Sequence, residues 1–348
     1  MHRVYTGKFG GIIMSKLIKL IFDTGAFQVL EEPTILTSGE IGIYYVNTEK
    51  LCPNSKELLA EFGDLPAEMI KGAVQCYEND EDFRYVIEAL AEKAESYLQS
   101  YNPLRAIAIS GGQRRDWIFS GPVAVKLDLP HVTLYKPKKG NPDRIEVMLP
   151  DRRLLPDTMF DKISSVHIAD LMTKGSSAYT ASEGMTIKQD ALDEDGNILY
   201  GSPVKGDGWI PMQRRAGIEV NRMLNVVTRL QGGEENLLQA KVDAFSFVAI
   251  NPGFITKANK ADLLTGEKID ISLDYMQNPE FWSKEYIRNN GVDAFVKFFD
   301  PDGGKTDRAG KFVDTYNQVL EESGRIQELE EAVQKEYGRS LKGIIGGK

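Results

Sequence analysis

The sequence predicts an α/β chain with a mostly parallel central sheet and helices on both faces. Two observations carry this. Short apolar or β-branched runs recur at 105–110, 131–135, 163–169, 224–228 and 242–250, and helix-capable stretches separate several of them. Buried strands of that length alternating with helices make a parallel sheet, because each crossover lays a helix on one face. The second observation is composition. With 42% hydrophobic and 27% charged residues over 348 positions, the chain can bury a core without metals or disulfides, and its length suits about two domains.

The elements follow in order. Met14-Ser15-Lys16 reads as a second start, so residues 1–13 are set aside as an upstream leader. Residues 17–30 carry Leu17, Ile18, Leu20, Ile21 and Phe27 at helical spacing, closed near Gly25. Ile41–Val46 is β-branched and aromatic, as a strand requires. Residues 55–63 and 82–101 are amphipathic helices. From 101 to 253 strands and helices alternate, with a helix at Gly121–Leu127 and an insertion at about 181–210 that turns at Asp193–Gly196. Residues 140–160 read as a mobile loop carrying Arg144, Arg152 and Arg153. After Gly253 the chain reads as loop-rich, then as two short helices around Val313–Leu320 and Ile326–Tyr337. The expected organisation is an N-terminal region of 14–100, a core of 101–253 and a C-terminal helical extension of 254–348.

Charge and cysteine content narrow the function. A formal charge of -9 offers no global attraction to nucleic acid, so any anion site must be local. Two cysteines, Cys52 and Cys76, make neither a disulfide framework nor a thiolate metal site. Three histidines without ligand spacing argue against zinc. No run approaches the roughly 20 apolar residues of a membrane helix. The expectation is a cytoplasmic protein with small-molecule ligands, no nucleic acid and no membrane.

Ligands of a parallel sheet sit beyond the carboxyl ends of its strands, so the residues after each strand matter most. After 163–169 come Asp170 and then Thr173-Lys-Gly-Ser-Ser177, where Gly175 admits close backbone approach and hydroxyls gather at a turn. Such a turn either cradles a phosphate or simply caps a following helix. After 105–110 come Gly111, Gly112, Arg114 and Arg115: paired glycines with two cations, suited to an anion or to a plain surface loop. Lys136 and Lys139 follow the strand 131–135, and Arg229 follows 224–228 ahead of Gly232-Gly233-Glu234-Glu235. The lysines suit an anion or a solvated turn. The guanidinium suits a carboxylate ligand or a salt bridge to Glu234 or Glu235. Gly304-Lys-Thr306 lacks the earlier glycine of a P-loop, and Asp300-Pro-Asp302 lacks the final glutamate of a calcium loop.

The run Val166-His-Ile-Ala-Asp-Leu-Met-Thr-Lys-Gly-Ser-Ser177 resembles the signature of the type I phosphoribosyltransferases: apolar strand, two acids, two apolar residues, Thr-x-Gly-x-Ser/Thr. Asp170, Thr173, Gly175, Ser176 and Ser177 match, and Ala169 stands where the family has its first acid. Segments 129–140, 228–235 and 36–47 resemble the orotate branch. The resemblance implies a type I phosphoribosyltransferase fold with an N-terminal hood and a C-terminal helical extension. It also implies transfer from phosphoribosyl diphosphate to orotate, with Mg2+ and as a homodimer whose loop reaches the neighbouring active site.

By that resemblance Asp170 holds the ribose hydroxyls and Lys139 is the catalytic lysine, with Lys136 beside it. Thr173, Gly175, Ser176 and Ser177 hold the 5-phosphate, and Gly111, Gly112, Arg114 and Arg115 form the diphosphate loop. Arg229 meets the orotate carboxylate, and Tyr44 and Tyr45 belong to the hood. Thr37 and Glu40 replace the hood's basic residues, and Tyr135 replaces an arginine. Transfer to a different base, or a non-catalytic binder that keeps the phosphate cradle, therefore stand as alternatives.

Overall fold

The computed structural model describes residues 8–36, 38–98, 101, 103–136, 144–175, 178–179 and 208–346, with side chains from residue 13 onward. Numbered along the chain, its strands are β1 (Phe27–Ile35), β2 (Ile41–Val46), β3 (Ala106–Gly112), β4 (His131–Tyr135), β5 (Arg144–Met148), β6 (Ile163–Met172), β7 (Glu219–Thr228) and β8 (Asp243–Ala249). Two compact units result. One joins the chain up to Ala26 with Asn47–Asn251, and the other joins Phe27–Val46 with Pro252–Lys348.

The first unit is the expected α/β sheet, in the order β5-β4-β3-β6-β7-β8. All pairings are parallel except β4 with the edge strand β5. Side-chain alternation separates its two faces. Ala108, Val132 and Leu134 pack against Trp209 and Met212 of the helix Trp209–Arg215. On the other side Gly111 meets Ser120, and Ser120 bonds His131, so the helix Asp116–Lys126 covers that face. The chain leaves β3 for β4 on one side and β6 for β7 on the other. The crevice between the carboxyl ends of β3 and β6 is thus the topological switch point.

Several local expectations need correction. Part of the expected loop at 140–160 is strand: β5 pairs with β4 from Arg144 to Met148, because Arg-Ile-Glu-Val-Met alternates and buries Val147. The N-terminal helix spans Lys8–Asp23, so the stretch set aside as leader supplies its first turns. It stops where Gly25 takes φ +66°, and Phe27 opens a strand instead. The helix expected at Gly121–Leu127 begins at Asp116 and runs through Pro122. A helix at Pro66–Asn79 was not expected; Pro66 stands in its first turn, where its missing N–H costs nothing. The insertion at 181–210 lies outside the described residues up to 207.

The second unit also departs from expectation. Residues 27–46 separate from the rest of the 14–100 region and join the C-terminal segment. Ile35 and Ile41 of the antiparallel β1–β2 pair bury in one cluster with Phe295, Phe312 and Tyr316. The Ile41 N–H donates to the Tyr316 hydroxyl at 3.1 Å, and the Tyr275 hydroxyl donates to the Ile41 carbonyl at 2.7 Å. The segment after Gly253 is helical from its start: Pro252–Lys260, Gly266–Gln277 and Pro279–Asn290 precede the expected pair at Thr306–Glu322 and Arg325–Tyr337. No helix among the described residues is long and apolar enough to cross a membrane.

Candidate active site

A cavity of about 830 Å³ opens at the switch point of the sheet. Its wall draws on distant stretches of the chain: Glu49, Leu59 and Asp64, residues 113–116 between β3 and the start of the following helix, Lys136 after β4, positions between 169 and 175 at and just past the end of β6, and Ala178, Trp209 and Met223. Arg114, Arg115, Lys136, Asp170, Thr173 and Gly175 all line it, together with Asp116.

Each position has a local cause. Gly111 and Gly112 end β3 pressed between the two layers. A Cβ on Gly111 would lie 2.1 Å from Ser120 Oγ, and one on Gly112 would lie 2.2 Å from Trp209 Cε2. The chain then turns into the helix at Asp116, whose Oδ2 accepts the Gly112 N–H at 3.1 Å. Its Oδ1 accepts the Asp170 N–H at 3.0 Å, so one carboxylate ties the ends of β3 and β6 together. Asp170 in turn accepts the Thr48 hydroxyl at 2.7 Å. Gly175, at φ +73°, sits where a Cβ would come 3.2 Å from Gly233 Cα. A Cβ on Gly233 would lie 2.7 Å from the Thr173 carbonyl oxygen. Asn236 donates to the Lys174 carbonyl at 2.7 Å. The two glycine motifs, some 60 positions apart in sequence, are therefore one packed turn.

The electrostatics are more acidic than the motifs suggest. Arg115 Nε lies 2.7 Å from Glu49 Oε2, and Arg114 Nε lies 3.9 Å from Asp64. The Gln113 side chain bridges, donating to Asp64 and accepting the Lys136 N–H at 2.8 Å. Four carboxylates (Glu49, Asp64, Asp116, Asp170) thus face three cations along the wall. Burial, and then the neighbouring Asp170 carboxylate, push Asp116 well up from the ordinary carboxylate range. Burial also raises Asp170, opposed by the Thr48 hydroxyl and Arg115. Beneath them His167 is fully buried, its Nδ1 3.1 Å from Ser110 Oγ, and burial holds it neutral with a pKa of about 3.

Not every expected residue enters this cavity. Arg229 follows the end of β7 and donates its backbone N–H to the Met172 carbonyl at 2.9 Å, beside the 173–175 turn but outside the cavity wall. Glu234, one candidate partner for Arg229, accepts the Thr228 hydroxyl at 2.8 Å. Tyr44 and Tyr45 belong to the second unit: the Tyr44 ring packs on Phe27 and Tyr275, and Tyr45 is exposed. Lys139, Ser176, Ser177 and Thr37 lie outside the described residues. Sequence reasoning missed Asp116, Thr48, Glu49 and Asp64. Asp116 closes the double-glycine run and so was in view, but nothing local marks its contact with position 170.

No protein-family model matches the chain, and no curated protein sequence does. Among solved structures it is similar to the UMP synthase of Leishmania donovani, at 15% identity and a TM-score of 0.43 over 76% of this chain. The match spans 42% of that synthase. It is also similar to the orotate phosphoribosyltransferase of Aeropyrum pernix, at 17% identity and a TM-score of 0.41, over 71% of this chain and 99% of that one. The adenine phosphoribosyltransferase of Trypanosoma brucei gives 10% identity and a TM-score of 0.37, over 77% and 86%. The likeness is to phosphoribosyltransferases. At these scores the fold described above stands on the chain's own strand order and register.

Proposed function

We propose that this chain transfers a phosphoribosyl group from 5-phosphoribosyl 1-diphosphate to a base, and that the base is orotate. One observation carries the reading: a single cavity at the switch point gathers Arg114, Arg115, Lys136, Asp170, Thr173 and Gly175 from distant parts of the chain. These are the residues that the sequence resemblance assigns to the diphosphate, the ribose and the 5-phosphate.

The chemistry follows from charge. Breaking the bond between the sugar carbon and the diphosphate oxygen leaves cationic character on the ribose and negative charge on diphosphate. Asp170, whose carboxylate accepts the Thr48 hydroxyl, would meet that positive charge. Arg114, Arg115 and Lys136 face the leaving group. Their charge is already offset by Glu49 and Asp64, so the wall alone cannot neutralise a diphosphate. Among the described residues no three acidic, histidine or cysteine side chains converge as a metal cage. The Asp170 carboxylate on this wall nonetheless fits Mg2+, which takes one or two carboxylates and completes its shell from phosphates. Asp170 would hold it, and the ion would supply neutralisation of the diphosphate. A homodimer belongs to the same proposal.

The test is diphosphate release by the full chain with phosphoribosyl diphosphate, Mg2+ and either orotate, uracil or adenine. Orotate-dependent release supports the reading. Release with another base only moves the specificity, and binding of phosphoribosyl diphosphate without release under any base removes the enzymatic reading.

A further inference from the structure

The acid missing at position 169 leaves a gap that the tertiary structure fills from another element. Ala169 lines the cavity with a methyl group only. The adjacent carboxyl that reaches the strand end is Asp116, from the helix after β3. Its Oδ1 accepts the N–H of Asp170 at 3.0 Å, one residue from the vacant acidic position.

The other carboxylates of the wall are committed elsewhere. Glu49 is ion-paired with Arg115, and Asp64 takes the Gln113 amide beside Arg114. Asp116 differs from both. Among the described residues its one ion-pair neighbour is the fully buried His167, at 3.9 Å, and its remaining partners include two backbone N–H groups. The side chain also hydrogen-bonds that of Asp170, and each carboxylate oxygen has a second lone pair beyond the one given to the backbone. The side chain is 11% exposed, and that exposure opens on the cavity.

Two buried carboxyls side by side are costly, and ligand hydroxyls would add donors to the two backbone N–H groups and the Thr48 hydroxyl that already reach them. A vicinal diol brings two O–H donors at the spacing of neighbouring groups. We propose that Asp116 is the second acid of this site and that it grips, with Asp170, the vicinal hydroxyls of a phosphoribosyl ligand. This rests on the phosphoribosyl reading above. The competing account is a clamp that only ties β3 to β6, and the two differ in what they do to ligand discrimination.

Calorimetric titration of the full chain with ribose 5-phosphate, 2-deoxyribose 5-phosphate and inorganic phosphate separates them. The wild type should favour the ribose compound by about tenfold or more, the scale of a hydrogen bond to a charged group. In Asp116→Ala that ratio should fall towards one while phosphate affinity stays level. Ala169→Asp keeps Asp116 in place and adds an acid at the vacant position, so the ratio should not rise. A wild-type ratio retained in Asp116→Ala overturns the proposal. A tenfold gain in Ala169→Asp overturns it too, and this arm decides if Asp116→Ala does not fold. A wild type that binds phosphate but neither sugar phosphate refutes the phosphoribosyl reading itself, an outcome distinct from an unchanged ratio.

Discussion

Thr48 is the residue through which the short turn at 48–51 acts on the site. Its side chain is fully buried, and its hydroxyl donates to Asp170 Oδ2 at 2.7 Å. Thr48→Val keeps the shape and removes the donor. A hydrogen bond to a charged group contributes about 1.5–3 kcal/mol, so a loss of about 2 kcal/mol is expected where Asp170 is ionised.

The pH dependence makes this diagnostic. Burial raises Asp170 in the folded state, so the folded form carries the cost of the charge above its folded pKa and is relieved of it as pH falls. The Thr48 hydroxyl opposes that rise, and without it the ionised form costs more while the protonated form loses only a weak bond. Urea unfolding of the wild type and Thr48→Val should differ by about 2 kcal/mol at the alkaline end of the folded range and by less at the acid end, where the raised Asp170 takes up its proton. Thr48→Ser, which keeps the donor, should show a small and pH-independent loss of about 1 kcal/mol from the missing methyl. An equal penalty for Thr48→Val at both ends would refute the reasoning, since it would mean that the side chain acts by shape alone.

Three further outcomes are expected. Gly112→Ala would put a Cβ 2.2 Å from the Trp209 indole, so it should cost about 1–3 kcal/mol by chemical unfolding and shift the tryptophan emission. Glu49→Gln releases Arg115 from its 2.7 Å ion pair and removes a negative charge from the wall. Diphosphate should then bind about five- to tenfold more tightly without Mg2+ in calorimetry, less so at high salt. Burial holds His131 neutral with a pKa of about 3, against about 6.5 in an unfolded chain. The stability it confers is complete above about pH 6.5 and is lost as pH falls towards 3, by about 2 kcal/mol at pH 5. His131→Gln should flatten the pH dependence of unfolding between 7 and 5 by about that amount.

Much of the first unit is local and so was legible. The runs at 131–135, 163–169 and 242–250 are short and rich in β-branched, aromatic and aliphatic residues, and each became a strand of the sheet. Asp170, Thr173 and Gly175 were readable for the same reason, because a strand end and the turn after it are contiguous. Regular structure that depends on partners was not. β5 exists because β4 offers it an edge. Residues 27–46 fold with the C-terminal helices because Ile35 and Ile41 find their apolar neighbours there, some 250 positions away. The acidic character of the site belongs to the same class. Glu49, Asp64 and Asp116 each look like ordinary surface acids in sequence, and only the fold brings them onto one wall. By itself the sequence determined most strands of the first unit and the residue types of the turns that follow them. Tertiary structure decided which carboxyl stands beside Asp170, because that contact joins backbone and side-chain groups 54 positions apart, and no local propensity encodes it.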